Sequence, residues 1–274
     1  MSGSDLTMNR LTSRLRAVRA SGRLFVLGFL PAGYPGRSGF VAGVAAAFDA
    51  GADALEIAIP NPPLPLDGPL IQAAGQQGAA AISGPHEGLR LAALQRREPD
   101  QAVVALAYRH AAEELGQQGL LQTCLDANVD AVLMPEHSFA EQIQAATAAR
   151  RVGLEQVLFI HLEKDLALLR DLPFADPVVY VQSADLQTGG TFDPAKARER
   201  VTELREAMGG RDAHVLVGFG VRGPDEVELL VDTSADGAVI GTTLVAAAGE
   251  GEHAVRRLVR SVRRAAERED RVRA

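Results

Sequence analysis

Two carboxylates in the first quarter of the chain are the residues best placed to do chemistry. Glu56 stands in the run Leu55-Glu56-Ile57, where an ionised side chain is costly unless it is paired or put to use. It alternates with Leu55 and Ile57, so in a closed sheet it points into the lumen if they point out. The competing reading is a structural carboxylate bonded to backbone or to an arginine. Asp67, in Leu66-Asp67-Gly68-Pro69, reads equally as a site residue or as a helix N-cap, since Asp-Gly-Pro is an ordinary helix start.

A second kind of chemistry is written in glycine. Thr188-Gly189-Gly190, Gly218-Phe219-Gly220 and Ile240-Gly241-Thr242-Thr243 each follow or end a late apolar run. Glycine lets a ligand approach backbone N–H groups, and helix N-termini favour anions. Each segment alone reads as a turn; together, at the ends of consecutive late strands, they read as a site for a phosphate monoester. No lysine accompanies them, so main-chain dipoles are expected to carry most of the binding. Tyr108 and Tyr180 end or occupy strands and either line a pocket or fill core layers. His110, His137 and His161, with Glu136 and Glu163, share no metal-ligand spacing, so no metal is expected. Cys124 reads as a small core residue, and no Ser/His/Asp order can be defended.

The elements that must hold these groups follow from periodicity. Eight short apolar runs occur at 24–30, 54–59, 102–108, 131–134, 156–161, 177–181, 213–219 and 237–240. Being apolar on both faces, they suit a buried parallel sheet. Helical spacing fills the intervals, for example 40–50, 138–151, 195–208 and 225–232. Eight right-handed βαβ units in this length predict a (β/α)8 TIM barrel over 1–274, one domain with an N-terminal helix in 1–22 and a C-terminal helix in 252–274. A doubly wound sheet is the rival, but no Gly-x-Gly-x-x-Gly follows the first strand. The longest gap, 60–101, opens with Pro62, Pro63, Pro65 and Pro69 and predicts a stiff loop before the next helix. The arginines of 252–274 predict a solvated helix face rather than a site that binds an anionic surface or nucleic acid.

Composition sets the outer limits. The chain has 274 residues, 47% hydrophobic and 23% charged, with net charge −7. That excludes disorder and argues against a nucleic-acid surface. One cysteine suits a reducing cytoplasm. No apolar run is long enough to span a membrane, and 1–19 does not read as a signal peptide. Only Lys164 and Lys196 among the 28 Lys and Arg are lysines, a bias without functional reading.

The motifs resemble those of the tryptophan synthase alpha subunit family over most of the chain. Gly33-Tyr34-Pro35-Gly36 resembles its turn after strand 1, and Gly51-Ala-Asp-Ala-Leu-Glu56-Ile its strand 2. Asp67-Gly-Pro-Leu-Ile-Gln72 is similar to its second catalytic stretch. Gly218-Phe-Gly-Val221 and Gly241-Thr242 are similar to its phosphate segments, and Tyr180 to Gly189, with Thr188-Gly189 kept, to its mobile loop. Glu56 and Asp67 fall eleven residues apart, as the family's two catalytic carboxylates do. The resemblance implies retro-aldol cleavage of indole-3-glycerol phosphate to indole and glyceraldehyde 3-phosphate, with no cofactor. It implies that Asp67 stabilises the cationic ring nitrogen and that Glu56 handles the C3 proton and the hydroxyl beside the breaking bond. It makes Phe29, Leu106 and Phe219 apolar wall positions, Tyr180 a pocket tyrosine, and Tyr108, Thr188, Gly189, Gly220, Gly241 and Thr242 further contacts with a phosphorylated indole.

The departures concern partner contact. Asn61-Pro62-Pro63-Leu64 replaces Phe-Ser-Asp-Pro, whose aspartate speaks to the β subunit. Ala184 and Leu186 replace an arginine and a glycine of the loop after strand 6. Binding to a β subunit is therefore expected to be weak or absent. Glu136 and His110 replace an aspartate and an asparagine, and with Asn61 are expected to alter the pocket. Two rivals stand beside the lyase. One is an aldolase-type lyase on another phosphorylated polyol; the other is a non-catalytic phosphate-ligand sensor, against which the retained carboxylate pair argues.

Overall fold

Residues 9–59, 67–182, 192–218 and 220–267 are described by a computed structural model. Each apolar run forms a strand: β1 (Phe25–Pro31), β2 (Ala54–Ala58), β3 (Ala102–Leu106), β4 (Ala131–Leu133), β5 (Glu155–Ile160), β6 (Val178–Gln182), β7 (His214–Gly218) and β8 (Gly237–Ile240). They pair in parallel in chain order, and β8 closes on β1, which is the expected (β/α)8 TIM barrel. A closed parallel sheet has helices outside and packed side chains inside, so both strand faces are buried and runs rather than alternation mark them.

The helices are α1 (Arg10–Ala20), α2 (Arg37–Asp49), α3 (Pro69–Ala79), α4 (Pro85–Ala93), α5 (Arg109–Asp126), α6 (Phe139–Arg151), α7 (Leu162–Leu169), α8 (Pro194–Ala207), α9 (Pro224–Val231), α10 (Thr242–Glu250) and α11 (Glu252–Ala265). Proline opens α3, α4, α8 and α9, where its missing N–H costs no helical hydrogen bond. Among the described residues the interval between β2 and β3 holds two helices, one more than its proline signal suggested. The C-terminal helix ends at Ala265, burying Val255, Val259 and Val262, while Arg257, Arg260 and Arg264 are exposed and Arg256 reaches Asp49 at 3.3 Å. Among the described residues no helix is long and apolar enough to cross a membrane.

The helix α1 lies across the N-terminal ends of the strands and locks them with charge. An aspartate precedes each even-numbered strand: Asp53, Asp130, Asp176 and Asp236. Arg14 reaches Asp53 at 2.8 Å, Arg10 reaches Asp130 at 2.9 Å, Arg19 reaches Asp236 at 2.8 Å, and Arg16 pairs with Asp176. Three of these carboxylates also accept the amide of an adjoining strand, from Val26, Val103 and Val215. Leu11, Leu15 and Val18 on the same helix are buried beneath the sheet. One helix thus holds the base of four strands by ion pairs and its apolar stripe by burial.

Asp53 is the most enclosed member, fully buried and shared with Arg23 at 2.6 Å. Replacing it leaves Arg23 and the Val26 amide without their acceptor, and breaking a buried pair from one side costs about 3–5 kcal/mol. Asp53→Ala should lower the unfolding free energy by about that amount in a urea titration. A loss below about 1 kcal/mol would show that the floor pairs contribute little.

Candidate active site

The strand β2 carries Glu56 level with Phe29 of β1 and Val104 of β3. Leu55 and Ile57 are fully buried on the other face, while Glu56, 3% exposed, lines the central cavity. Asp67 reaches the same cavity from the residues before α3. The N-cap of that helix is Gly68, so the capping reading of Asp67 is not realised. Its carboxylate instead accepts the Tyr108 hydroxyl. α3 is seated by a backbone contact that only glycine allows. A Cβ on Gly33, at φ +83°, would collide with the Gly78 carbonyl, and one on Gly78 with that of Ala32.

Burial sets the protonation of the two carboxyls. Glu56 is pushed up from 4.5 to about 8, first by desolvation and then by the negative charge of Asp67. Among the described residues no donor reaches its Oε2. Asp67 is pushed up from 3.8 to about 6 by desolvation, opposed by the Tyr108 hydrogen bond and assisted by the charge of Glu136. Near neutral pH Glu56 therefore holds a proton and Asp67 is ionised. Two carboxyls in one cavity with separated affinities form an acid and an anion. Burial raises the Tyr108 and Tyr180 hydroxyls well above 10, so both remain donors.

The cavity measures about 430 Å³ and is mostly apolar. Phe29, Ile71, Leu106, Leu133, Phe159 and Val239 form its walls. The Phe159 ring meets Tyr180 edge-on, with centroids 5.4 Å apart, and a Cβ at Gly218 would collide with the Tyr180 hydroxyl. On the side of β7 and β8 the lining changes to Gly220, Arg222, Gly241, Thr242 and Thr243. Gly241 is the N-cap of α10, and no side chain caps that helix. Its first residues, Thr242 and Thr243, line the cavity, and a helix N-terminus favours negative charge.

The structure brings most of the expected site residues together. Glu56, Asp67, Phe29, Leu106, Tyr108, Tyr180, Gly220, Gly241 and Thr242 all line one cavity. Thr188, Gly189 and Phe219 lie outside the described residues, as do Asn61, Pro63, Ala184 and Leu186. Glu136 alters the pocket through its charge, which helps to raise Asp67, rather than through its shape. Glu136 accepts the Arg109 amide at 2.8 Å, His110 is exposed, and neither lines the cavity. His161 is the residue before α7 and packs against Phe159, while His137 lies between α5 and α6. Among the described residues no three His, Cys, Asp or Glu side chains are grouped so that they could hold a metal ion. Cys124 is a core residue of α5, its thiol pushed up to about 12 by burial.

Ile71, Leu133, Pro135, Phe159, Val239 and Arg222 were missed in the sequence. The signal for Leu133 and Pro135 was their alternation with Val132 and Met134 along β4, whose own side chains line a separate cavity outside the barrel. Arg222 was signalled only by standing two residues after Gly220.

A model of the tryptophan synthase alpha chain family matches residues 15–272. The chain belongs to that family. The tryptophan synthase alpha chain of Laribacter hongkongensis is 32% identical over 241 residues, covering 87% of this chain and 90% of its own. That of Halorhodospira halophila is 30% identical over 252 residues, covering 89% of each. Two solved structures share the fold at lower identity. Mycobacterium tuberculosis tryptophan synthase in its aminoacrylate-bound form gives a TM-score of 0.78 at 22% identity, covering 94% of this chain and 100% of that one. A structure from Aquifex aeolicus VF5 gives 0.82 at 21%, covering 95% and 100%.

The burial of Glu56 has a consequence for stability in this family member. The folded chain keeps a proton on Glu56 up to about pH 8, whereas an unfolded chain releases it near 4.5. Stability contributed by this group is therefore lost as pH rises through that window. Glu56→Gln removes the titration, so it should raise Tm more at pH 8 than at pH 5. Thermal melts at the two values decide this; an equal change at both would remove the proton from Glu56.

Proposed function

We propose that this chain cleaves indole-3-glycerol phosphate by a retro-aldol reaction, giving indole and glyceraldehyde 3-phosphate. The observation that carries the reading is the pairing of a protonated Glu56 with an ionised Asp67 inside one apolar cavity that ends on the α10 amides. C3 of an indole leaves only after it has gained a proton. Glu56 donates that proton to C3, and the ring becomes an indoleninium. Asp67 accepts the ring N–H and balances its positive charge; the Tyr108 hydroxyl holds the carboxylate in place. Glu56, now ionised, takes the proton of the adjacent side-chain hydroxyl. The carbon–carbon bond breaks, its electron pair returns to C3 to restore the indole, and the hydroxyl carbon becomes the aldehyde. Glu56 ends as it began, protonated.

The apolar walls suit a flat bicyclic ring. Closing such a ring over Glu56 excludes water, which keeps the acid proton-bearing until C3 is in place. A phosphate sensor needs no such division of protonation between two buried carboxyls.

Incubating the protein alone with indole-3-glycerol phosphate should release indole. kcat/KM should fall below about pH 6, where Asp67 gains a proton, and above about pH 8, where Glu56 loses one. Glu56→Gln should lower kcat by about 10²-fold or more, in line with loss of a general acid, and Asp67→Asn should lower it too. Wild-type turnover in either variant would sink these roles.

The same reading extends to the partner. Pro63, Ala184 and Leu186 support a lyase that works without a β subunit: proline offers no charged side chain and fixes its own φ, and leucine disfavours the positive φ open to glycine. Titrating a tryptophan synthase β subunit into the protein should leave indole release unchanged. A ten-fold activation, about 1.4 kcal/mol of coupling, would show that the signalling interface survives.

A further inference from the structure

Among the described side chains that line the central cavity, Arg222 is the cationic one, and Glu56 and Asp67 are the acidic ones. We propose that Arg222 is a phosphate ligand of this chain, its guanidinium meeting from the β7 side the phosphate monoester that the α10 amides meet from the β8 side. The proposal rests on the lyase reading above and names what fixes the phosphate end of that substrate.

The two helices that begin at this end of the cavity are built differently. Glu226, in the first turn of α9, folds its carboxylate back onto the Gly223 amide at 2.9 Å and the Arg222 amide at 3.3 Å. Asp225 adds a second acidic residue to the same turn. The start of α9 therefore presents carboxylates where an anion would look for N–H groups. α10 has no acidic residue in its first turn and no side-chain cap, so its amides remain for a ligand. An anion between the two strands is met by helix amides on one side only.

Arg222 supplies the missing half. β7 and β8 pair with Leu216 opposite Gly237 and Val217 opposite Ala238, so their outgoing segments leave side by side. Gly220 and Arg222 on one, with Gly241 and Thr242 on the other, line the same cavity. Val221 is buried, while Arg222 is exposed at the cavity mouth. A guanidinium can hold two phosphate oxygens at once through parallel N–H groups.

Charge balance calls for such a group. Near neutral pH the cavity already contains ionised Asp67, and a phosphate monoester brings a further charge of about −1.5 to −2. A cation at the β7 side draws the phosphate there and leaves the uncharged ring to the carboxylates. Arg222 thus sets the orientation of the substrate as well as its affinity.

Competitive inhibition of indole release tests this with three probes: inorganic phosphate, glycerol 3-phosphate and indole. Arg222→Gln should raise the inhibition constants of both phosphate compounds at least ten-fold while leaving that of indole within two-fold. The unchanged indole constant also reports that the variant is folded. Arg222→Lys, which keeps the charge and loses the fork, should fall between the two proteins. Equal inhibition of wild type and Arg222→Gln by both phosphate compounds would overturn the role of Arg222 and leave the lyase reading intact. A wild-type protein that neither phosphate compound inhibits would overturn the phosphate end of the lyase reading, and the role of Arg222 with it.

Discussion

A carboxyl group withdrawn from water, one of its oxygens without a partner among the described residues, governs the upper half of this barrel. Desolvation holds the proton on Glu56, and that proton determines what its neighbours can be. Asp67 can stay ionised in the same cavity because Glu56 is neutral and because Tyr108 donates to it. The apolar walls are part of the same arrangement. Phe29, Leu106 and Leu133 keep water from Glu56 as well as shaping the space. Had a cation been placed beside Glu56, the group would be ionised and useless as an acid.

Such a site works against the stability of the fold, and the opposite end of the barrel offsets it. There every buried carboxylate has a donor. Asp53 binds two arginines and an amide, and Asp130 and Asp236 are bonded in the same manner. The contrast follows the division of labour in barrels, with chemistry at the C-terminal ends of strands and stability at the N-terminal ends. Carboxylates are satisfied below, while Glu56 is left wanting above.

The sequence made the barrel and the two carboxylates legible, for a local reason. Strands buried on both faces are continuous apolar runs, and Glu56 stands out inside one. Asp67 was ambiguous because a helix start and a site residue share the spelling Asp-Gly-Pro; only the position of Gly68 as N-cap separates them. Phe159 and Leu133 were invisible because facing the lumen depends on how strands stagger around the barrel. Arg222 was hidden among many arginines, with no local pattern to single it out. The floor was beyond reach for a different reason. Its partners are far apart in the chain, as with Arg10 and Asp130 at 120 residues, and no local pattern joins them.

The order of those floor pairs also bears on how the chain comes to be folded. α1 leaves the ribosome before its carboxylate partners, which follow at increasing separations: 39 residues for Asp53, 120 for Asp130, 160 for Asp176 and 217 for Asp236. The growing chain gains one anchor with each second strand, and loop closure becomes only slowly more costly with length. Vectorial synthesis thus secures the base of the barrel stepwise, strand pair by strand pair. The seam between β1 and β8 cannot close until the last strand emerges. A chain arrested before that point carries an unpaired β1 edge, and such an edge is a template for aggregation.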